Sequence, residues 1–348
     1  MSFKKLLYNC FKTNFLFAVF IKFGIIMAKG VMNLNIGIDI GGTNIGAGLL
    51  DEDLNIIYRI EIPTSKDRGY DFVKSQIISI IEDMISKASK LNHKIDSIGI
   101  GLPGIVDIEG NNVIYNANLN WNNVPLGKNL RHRFDIPIDI ENDATIAGIA
   151  ESALGVMKGY SNSVFITLGT GVGGGIIINH KVYTGSHGLG SEIGHMIVGE
   201  NFYDCNCGNN GCLETFISST AVRRYVINEI EHGFINTSIL KNVNSIEEID
   251  TKLIFECAEL GDELSNKAVN RMAKYLAIGI ANIINIIDPD IIAIGGGVAK
   301  AGDFFLDRVK DLLPRYILFK ELDFGEIKLA KLGNDAGIIG AAMLKEYK

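Results

Sequence analysis

A surplus of basic residues is missing from this chain: 33 Lys and Arg stand against 40 Asp and Glu, a formal net charge of -7 with a pI near 5.5. Polyphosphate backbones and anionic membranes are bound through excess cation, so this balance argues against both and makes a small-molecule ligand the default. Cysteine is scarce as well, five in 348 residues, which excludes a disulfide framework. Three of the five crowd between Cys205 and Cys212, where loop-closing bridges would do little and a metal in a reducing compartment is the better reading. No apolar run is long enough to span a bilayer. Lys4 and Lys5 precede apolar Phe15 to Phe20 in the manner of a secretory signal, but Lys12 and Lys22 bracket a stretch too short for a transmembrane helix. Residues 1–32 are expected to be an apolar extension without assigned function, possessed of alternative starts at Met27 and Met32; an export signal is the competing reading.

Two phosphate-binding signatures are absent. No G-x-x-x-x-G-K-[ST] occurs, which removes the Walker A class. Gly169, Gly171 and Gly174 match G-x-G-x-x-G, but a dinucleotide site needs a helix after that turn. Gly175 is followed instead by Ile176, Ile177 and Ile178, a buried-strand pattern.

What is present suggests two α/β domains, for which 47% hydrophobic residues supply the cores. Ile36, Ile38 and Ile40 alternate with Gly37 and Asp39, Gly41 and Gly42 turn the chain, and 46–50 returns as a second strand. The same strand, glycine bend and strand recur at 164–168, 169–175 and 176–178, so the architecture reads as a duplication with a cleft between lobes. Helices are predicted over about 70–90, 144–154, 220–230 and 268–287, and strands at 97–101, 136–140 and 291–294. Residues 334–348 read as a small-residue helix that packs back onto the first lobe.

Paired hairpin bends can grip a polyphosphate, because glycine lets backbone N–H groups approach oxygen closely and Thr43 and Thr170 add hydroxyls. Taken singly, each bend is an ordinary tight turn. Asp39, just before the first bend, is placed to hold hydrated Mg²⁺. Asp143 ends a strand and opens a helix, a position that suits either a catalytic carboxylate or a plain helix cap; Asn142 could equally be the cap. His195, Cys205, Cys207 and Cys212 supply one imidazole and three thiolates, the set of a closed, structural zinc site, with uncoordinated thiols as the alternative.

Asp39-Ile-Gly-Gly-Thr-Asn44, Leu168-Gly-Thr-Gly-Val-Gly-Gly-Gly175, Glu192-Ile-Gly-His195 and Cys205-Asn-Cys-Gly-Asn-Asn-Gly-Cys212-Leu-Glu214 together resemble the ROK family of bacterial sugar kinases and related repressors. The resemblance implies an α/β fold of two ribonuclease-H-like lobes, actin-like and hexokinase-like, with an interlobe active-site cleft. The lobes are expected at 33–143 plus 334–348 and at 144–333, the latter carrying the zinc loop 195–212. It implies an ATP-dependent cytoplasmic kinase, dimeric, acting on a hexose at its 6-hydroxyl. Glucose is the first choice, and other hexoses, N-acetylhexosamines and polyphosphate as donor are left open. Asp143 inherits the role of general base. Gly104, Asn118, Asn142, Glu192, His195 and Glu214 join it in sugar contact. Asp39, Gly41, Gly42, Thr43 and Asn44, with Gly169, Thr170, Gly171 and Gly173, flank Mg·ATP, and Gly295, Gly296 and Gly297 lie near the adenosine. Trp121, the single tryptophan, reads as core. A DNA-binding repressor is disfavoured by the short, poorly patterned stretch before the first hairpin.

Overall fold

A computed structural model of the chain describes residues 31–321 and 324–348. Apart from Val31 and Met32, the expected N-terminal extension lies outside the described residues, as does Cys10.

Alternating isoleucines bury one face of β1 (Asn33–Ile40), which turns through Gly41-Gly42 into antiparallel β2 (Asn44–Leu50), Asp39 standing opposite Gly46. An edge strand β3 (Ile56–Pro63) and helix α1 (Tyr70–Lys90) follow, the helix burying Val73, Ile77, Ile81 and Met84 at four- and three-residue spacing. Next, β4 (Lys94–Leu102) runs parallel to β1. A three-stranded sheet of β5 (Ile105–Val106), β6 (Val113–Asn116) and β7 (Trp121–Val124) leads to α2 (Leu126–Arg133) and to β8 (Ile138–Asn142). The first sheet has the order β3-β2-β1-β4-β8.

Helix α3 (Asp143–Ala153) crosses to the second sheet, which begins with β9 (Ser163–Leu168), β10 (Val172–Ile178) and β11 (Lys181–Val182). Short α4 (Glu214–Ile217), then α5 (Ser219–Glu231), α6 (Thr251–Glu259) and α7 (Glu263–Ile287), cover it. The sheet is completed by β12 (Ile291–Gly295), α8 (Asp303–Leu312) and β13 (Glu326–Leu329), in the order β11-β10-β9-β12-β13. In each sheet an antiparallel hairpin is followed by two parallel additions, β1/β4 and β4/β8 in one, β9/β12 and β12/β13 in the other. The expected duplication is therefore a repeated topology: two ribonuclease-H-like sheets in the actin-like, hexokinase-like arrangement.

The C-terminal segment departs from the single helix expected. A tight turn at Gly333–Asp335 precedes α9 (Ala336–Ala342), and a break at Met343 separates it from α10 (Leu344–Tyr347). Helix α9 lies directly on β1 and β4, because Gly37 and Gly99 present no side chain: a Cβ there would meet the Ile338 and Ala341 carbonyls at 1.9 and 1.7 Å. Helix α7 starts five residues before the expected 268, because Asp262 caps it by accepting from the Ser265 N–H.

Buried Glu151 ties the two crossings between the sheets together. Its Oε2 accepts from Val156 N–H at the end of α3, and Oε1 accepts from the Lys331 and Leu332 N–H groups that lead back to α9. Replacing it with Ala leaves three backbone donors without their acceptor, so urea denaturation of Glu151→Ala should show a loss of about 3 kcal/mol or more. A loss under about 1 kcal/mol would show that other groups hold this junction.

Candidate active site

Strand β8 ends on Asn142, whose side chain does the work of a cap. Its Oδ1 accepts from the Ala144 N–H at 2.8 Å and the Thr145 N–H at 3.3 Å, and its Nδ2 donates to the Gly104 carbonyl at 3.0 Å. Asp143 shares the Ala144 N–H through Oδ1 at 2.8 Å, but the Thr145 N–H goes to Asn142. The choice left open by the sequence is resolved: Asn142 caps α3, and its amide has one hydrogen left for a ligand. The carboxylate beside it is left facing open space.

That space is a cleft of about 560 Å³ between the β4–β8 connections and the second glycine bend. Gly104, Asn118, Asn142, Asp143, Glu192, His195 and Glu214 all line it, so the residues expected at a sugar site converge. Gly169, Thr170, Gly171 and Gly173 form its opposite wall. Asp143 also borders a second cavity of about 440 Å³ with Asp39, Gly41, Asn44 and Thr167. Gly169 and Thr170 border a third, of about 640 Å³, with Gly297, Phe255, Lys252 and Lys300.

Gly42, Thr43, Gly295 and Gly296 do not line these cavities. Gly42 packs against Asn118, and exposed Thr43 uses its carbonyl to accept from Thr64 N–H. Asn44 donates its amide to Glu61. Of the three glycines at 295–297, Gly297 alone lines one of these three cavities; Gly295 is buried in β12 against Phe165, and Gly296 turns the chain at φ 84° over the Leu168 carbonyl. Trp121 is buried edge-on to Tyr70, ring centres 5.3 Å apart. Thr167, Phe255, Lys252 and Lys300 were not anticipated, since one polar strand end and one amphipathic helix give no signal of their own. Gly188 and Gly190, not singled out in the sequence, also border the cleft.

Acidic groups dominate the electrostatics. Burial raises the Asp39 carboxyl from its ordinary 3.8 to about 6, and the Asp143 charge pushes the same way. Protein surrounds Asp143 closely although the cleft gives solvent access, and this desolvation raises its carboxyl against the pull of the Ala144 N–H. Burial raises Glu192 also, opposed by His195 and reinforced by Asp143 and Glu214. Asp39 and Asp143 thus make a carboxylate pair that a hydrated divalent cation would neutralise.

His195, Cys205, Cys207 and Cys212 come together, their ligand atoms all within 4.8 Å of one another. Cys207 and Cys212 sulfurs are 3.5 Å apart, and Cys205 Sγ is 3.7 Å from His195 Nδ1. Tetrahedral zinc with Zn–S near 2.3 Å places its sulfurs about 3.8 Å apart, so the set fits. None of the four cysteines among the described residues is in a disulfide. The Asn209 N–H lowers exposed Cys207 to about 7, whereas burial raises Cys205 and pushes Cys212 up to about 12. Nε2 of His195 looks the other way, 3.8 Å from Glu192 Oε2 at the cleft.

A family model described as the ROK family matches residues 35–348. A glucokinase of Halalkalibacterium halodurans is 35% identical over 89% of this chain and 94% of its own length. The chain belongs to the ROK family. The crystal structure of a ROK glucokinase from Streptomyces griseus, in complex with glucose and AMPPNP, superposes with a TM-score of 0.73 at 32% identity, covering 90% of this chain and 99% of that one. A ROK transcriptional regulator, homologue of the E. coli MLC protein, gives 0.79 at 27% identity, covering 92% of this chain and 78% of the regulator. ROK members of both kinds therefore share this fold. No helix among the described residues is long and apolar enough to cross a membrane.

The raised Asp39 has a consequence for stability. A carboxyl whose folded value lies above its unfolded one stabilises the fold below the unfolded value, and that contribution is lost as pH rises through the folded value. In Mg²⁺-free protein, Asp39→Asn should therefore gain stability relative to the parent as pH rises from about 4 through about 6, measured by denaturant titration at each pH. A difference that stays flat with pH would contradict the assigned burial.

Proposed function

We propose that the chain is an ATP-dependent hexose 6-kinase, glucose first among its substrates. The observation that carries this reading is the division of labour at 142–143, where Asn142 caps the helix and the Asp143 carboxylate borders both the sugar-sized cleft and the Asp39 cavity.

Glu192, His195, Glu214 and Asn118 bind the sugar hydroxyls, each of which both donates and accepts. Asp143 accepts the proton of the 6-hydroxyl as O6 attacks the γ-phosphorus; the O6–P bond forms, the P–O bond to the β-phosphate breaks, and its electron pair leaves on ADP. The bend at 169–173, with Gly41 and Asn44 across from it beside Asp39, orients the phosphates, and closure excludes water as a competing acceptor. Asp39 would hold a hydrated Mg²⁺, which would supply charge neutralisation for the transferring phosphoryl group. The third cavity, with Phe255, Val298 and Ala301 beside Gly297, supports a nucleotide base over polyphosphate. The His195–Cys212 clip is assigned structural zinc. Reduced thiols there support a cytoplasmic location, and the dimer and the lobe boundaries 33–143 plus 334–348 and 144–333 belong to the same proposal.

Likeness to the regulator supports a second reading, a sugar sensor without catalysis. Asp143→Asn separates the two. Its kcat should fall about 10²–10⁴-fold with the sugar Kd little changed, and the parent's activity should decline toward acid pH earlier than for an ordinary carboxylate, because burial raises Asp143. Sugar binding without ADP formation in the parent, across a panel of hexoses and N-acetylhexosamines, would instead identify a sensor.

A further inference from the structure

The segment directly after Cys212 holds the second glycine bend at three points. Val172 N–H donates to Glu214 Oε2 at 2.9 Å, Ser219 N–H to the Gly169 carbonyl at 2.8 Å, and Thr220 Oγ1 to the Thr170 carbonyl at 2.8 Å. The Glu214 carboxylate lies so close over Gly171 that a Cβ there would sit 2.5 Å from Oε2. Its other oxygen, Oε1, is 3.9 Å from Cys205 Sγ. Glu214 therefore bridges the thiol cluster and the bend.

The clip is seated firmly on this segment. Leu213 N–H donates to the Met196 carbonyl at 2.7 Å and Val198 N–H to the Gly211 carbonyl at 2.9 Å, while Asn201 Nδ2 and the Tyr203 hydroxyl both donate to the Thr215 carbonyl. By contrast, residues 206–210 are all exposed, so little apolar burial orders the turn that carries Cys207. Hydrogen bonds from Asn210 to Asn201, Tyr203 and Asp204 hold one end of that turn, and a metal on Cys207 would add a restraint at its middle.

We propose that Glu214 couples the metal clip to the donor-phosphate bend, so that metal binding raises nucleotide affinity and nucleotide binding tightens the metal. The clip then acts on both substrates' sides of the cleft, beyond ordering the acceptor pocket alone. The choice of nucleotide as ligand rests on the kinase reading. Coupling of this kind is reciprocal: each ligand changes the other's affinity by one common factor.

The test is isothermal titration of Mg·ADP, without sugar, into zinc-loaded and chelator-stripped protein. Stripped protein should bind about 5-fold or more weakly, the lower end of ordinary coupling. Glu214→Ala should still bind one zinc yet show the same ADP affinity loaded and stripped, whereas Glu214→Gln, which keeps an oxygen for the Val172 N–H, should preserve the difference. Should the stripped protein unfold, transfer of zinc to a chromogenic chelator decides. ADP should slow that transfer in the parent and not in Glu214→Ala, and equal slowing in both overturns the proposal. Equal ADP affinity in loaded and stripped parent overturns the coupling alone; no ADP binding in either form overturns the kinase reading with it.

Discussion

One side chain decides what the rest of the site can do: Asn142 takes the capping position of α3. A helix that opens at the end of a sheet strand has N–H groups to satisfy, and an aspartate there is ordinarily consumed in satisfying them. Here an amide oxygen meets the Ala144 and Thr145 N–H groups, and the amide nitrogen anchors the cap to the Gly104 carbonyl. The next residue, Asp143, is thereby held at a defined place with only its Oδ1 engaged, by the Ala144 N–H. Its helix is in turn fixed from the far end, where Glu151 gathers the N–H groups of both interlobe crossings.

From this position the three cavities form a sequence with shared walls. Asp143 separates the sugar-sized cleft from the Asp39 cavity, and the bend at Gly169 and Thr170 separates the cleft from the cavity at Gly297. Shared walls suit group transfer, because neighbouring ligands are oriented by the same few residues and little freedom remains to be lost at the reactive centre. The carboxylates cost stability where burial raises them, as at Asp39, a penalty typical of residues kept for function.

Much of this was legible in the sequence. Alternating isoleucines and paired glycine bends announced the two hairpins, and the helix over Tyr70–Lys90 followed from its apolar spacing. The His195, Cys205, Cys207 and Cys212 set followed from residue chemistry, with uncoordinated thiols as the alternative, and its four ligand atoms do converge. Helices α2, α6 and α8 went unread, and two further kinds of feature stayed hidden. Strands β5, β6 and β7 have two to four residues each, too few for a period to show, and β3 lies at an edge where burial is incomplete. The second kind is contact across the chain: nothing near Glu214 in the sequence indicates that its carboxylate holds the Val172 N–H, 42 positions away, or that Gly295 is enclosed by Phe165. Residue type and spacing identify the groups, but which hydrogen bond each one spends is set by tertiary packing.

The proposed reaction makes one bond, between the γ-phosphorus and a hexose O6. It is tested most directly by incubating the purified protein with ATP and glucose labelled with ¹³C at C6, and recording ³¹P and ¹³C spectra of the product. A 6-kinase should give a phosphate ester whose phosphorus couples to the labelled carbon, with ADP formed in equal amount. Phosphate attached at another carbon, or ADP accumulating with free inorganic phosphate and unchanged sugar, would contradict it.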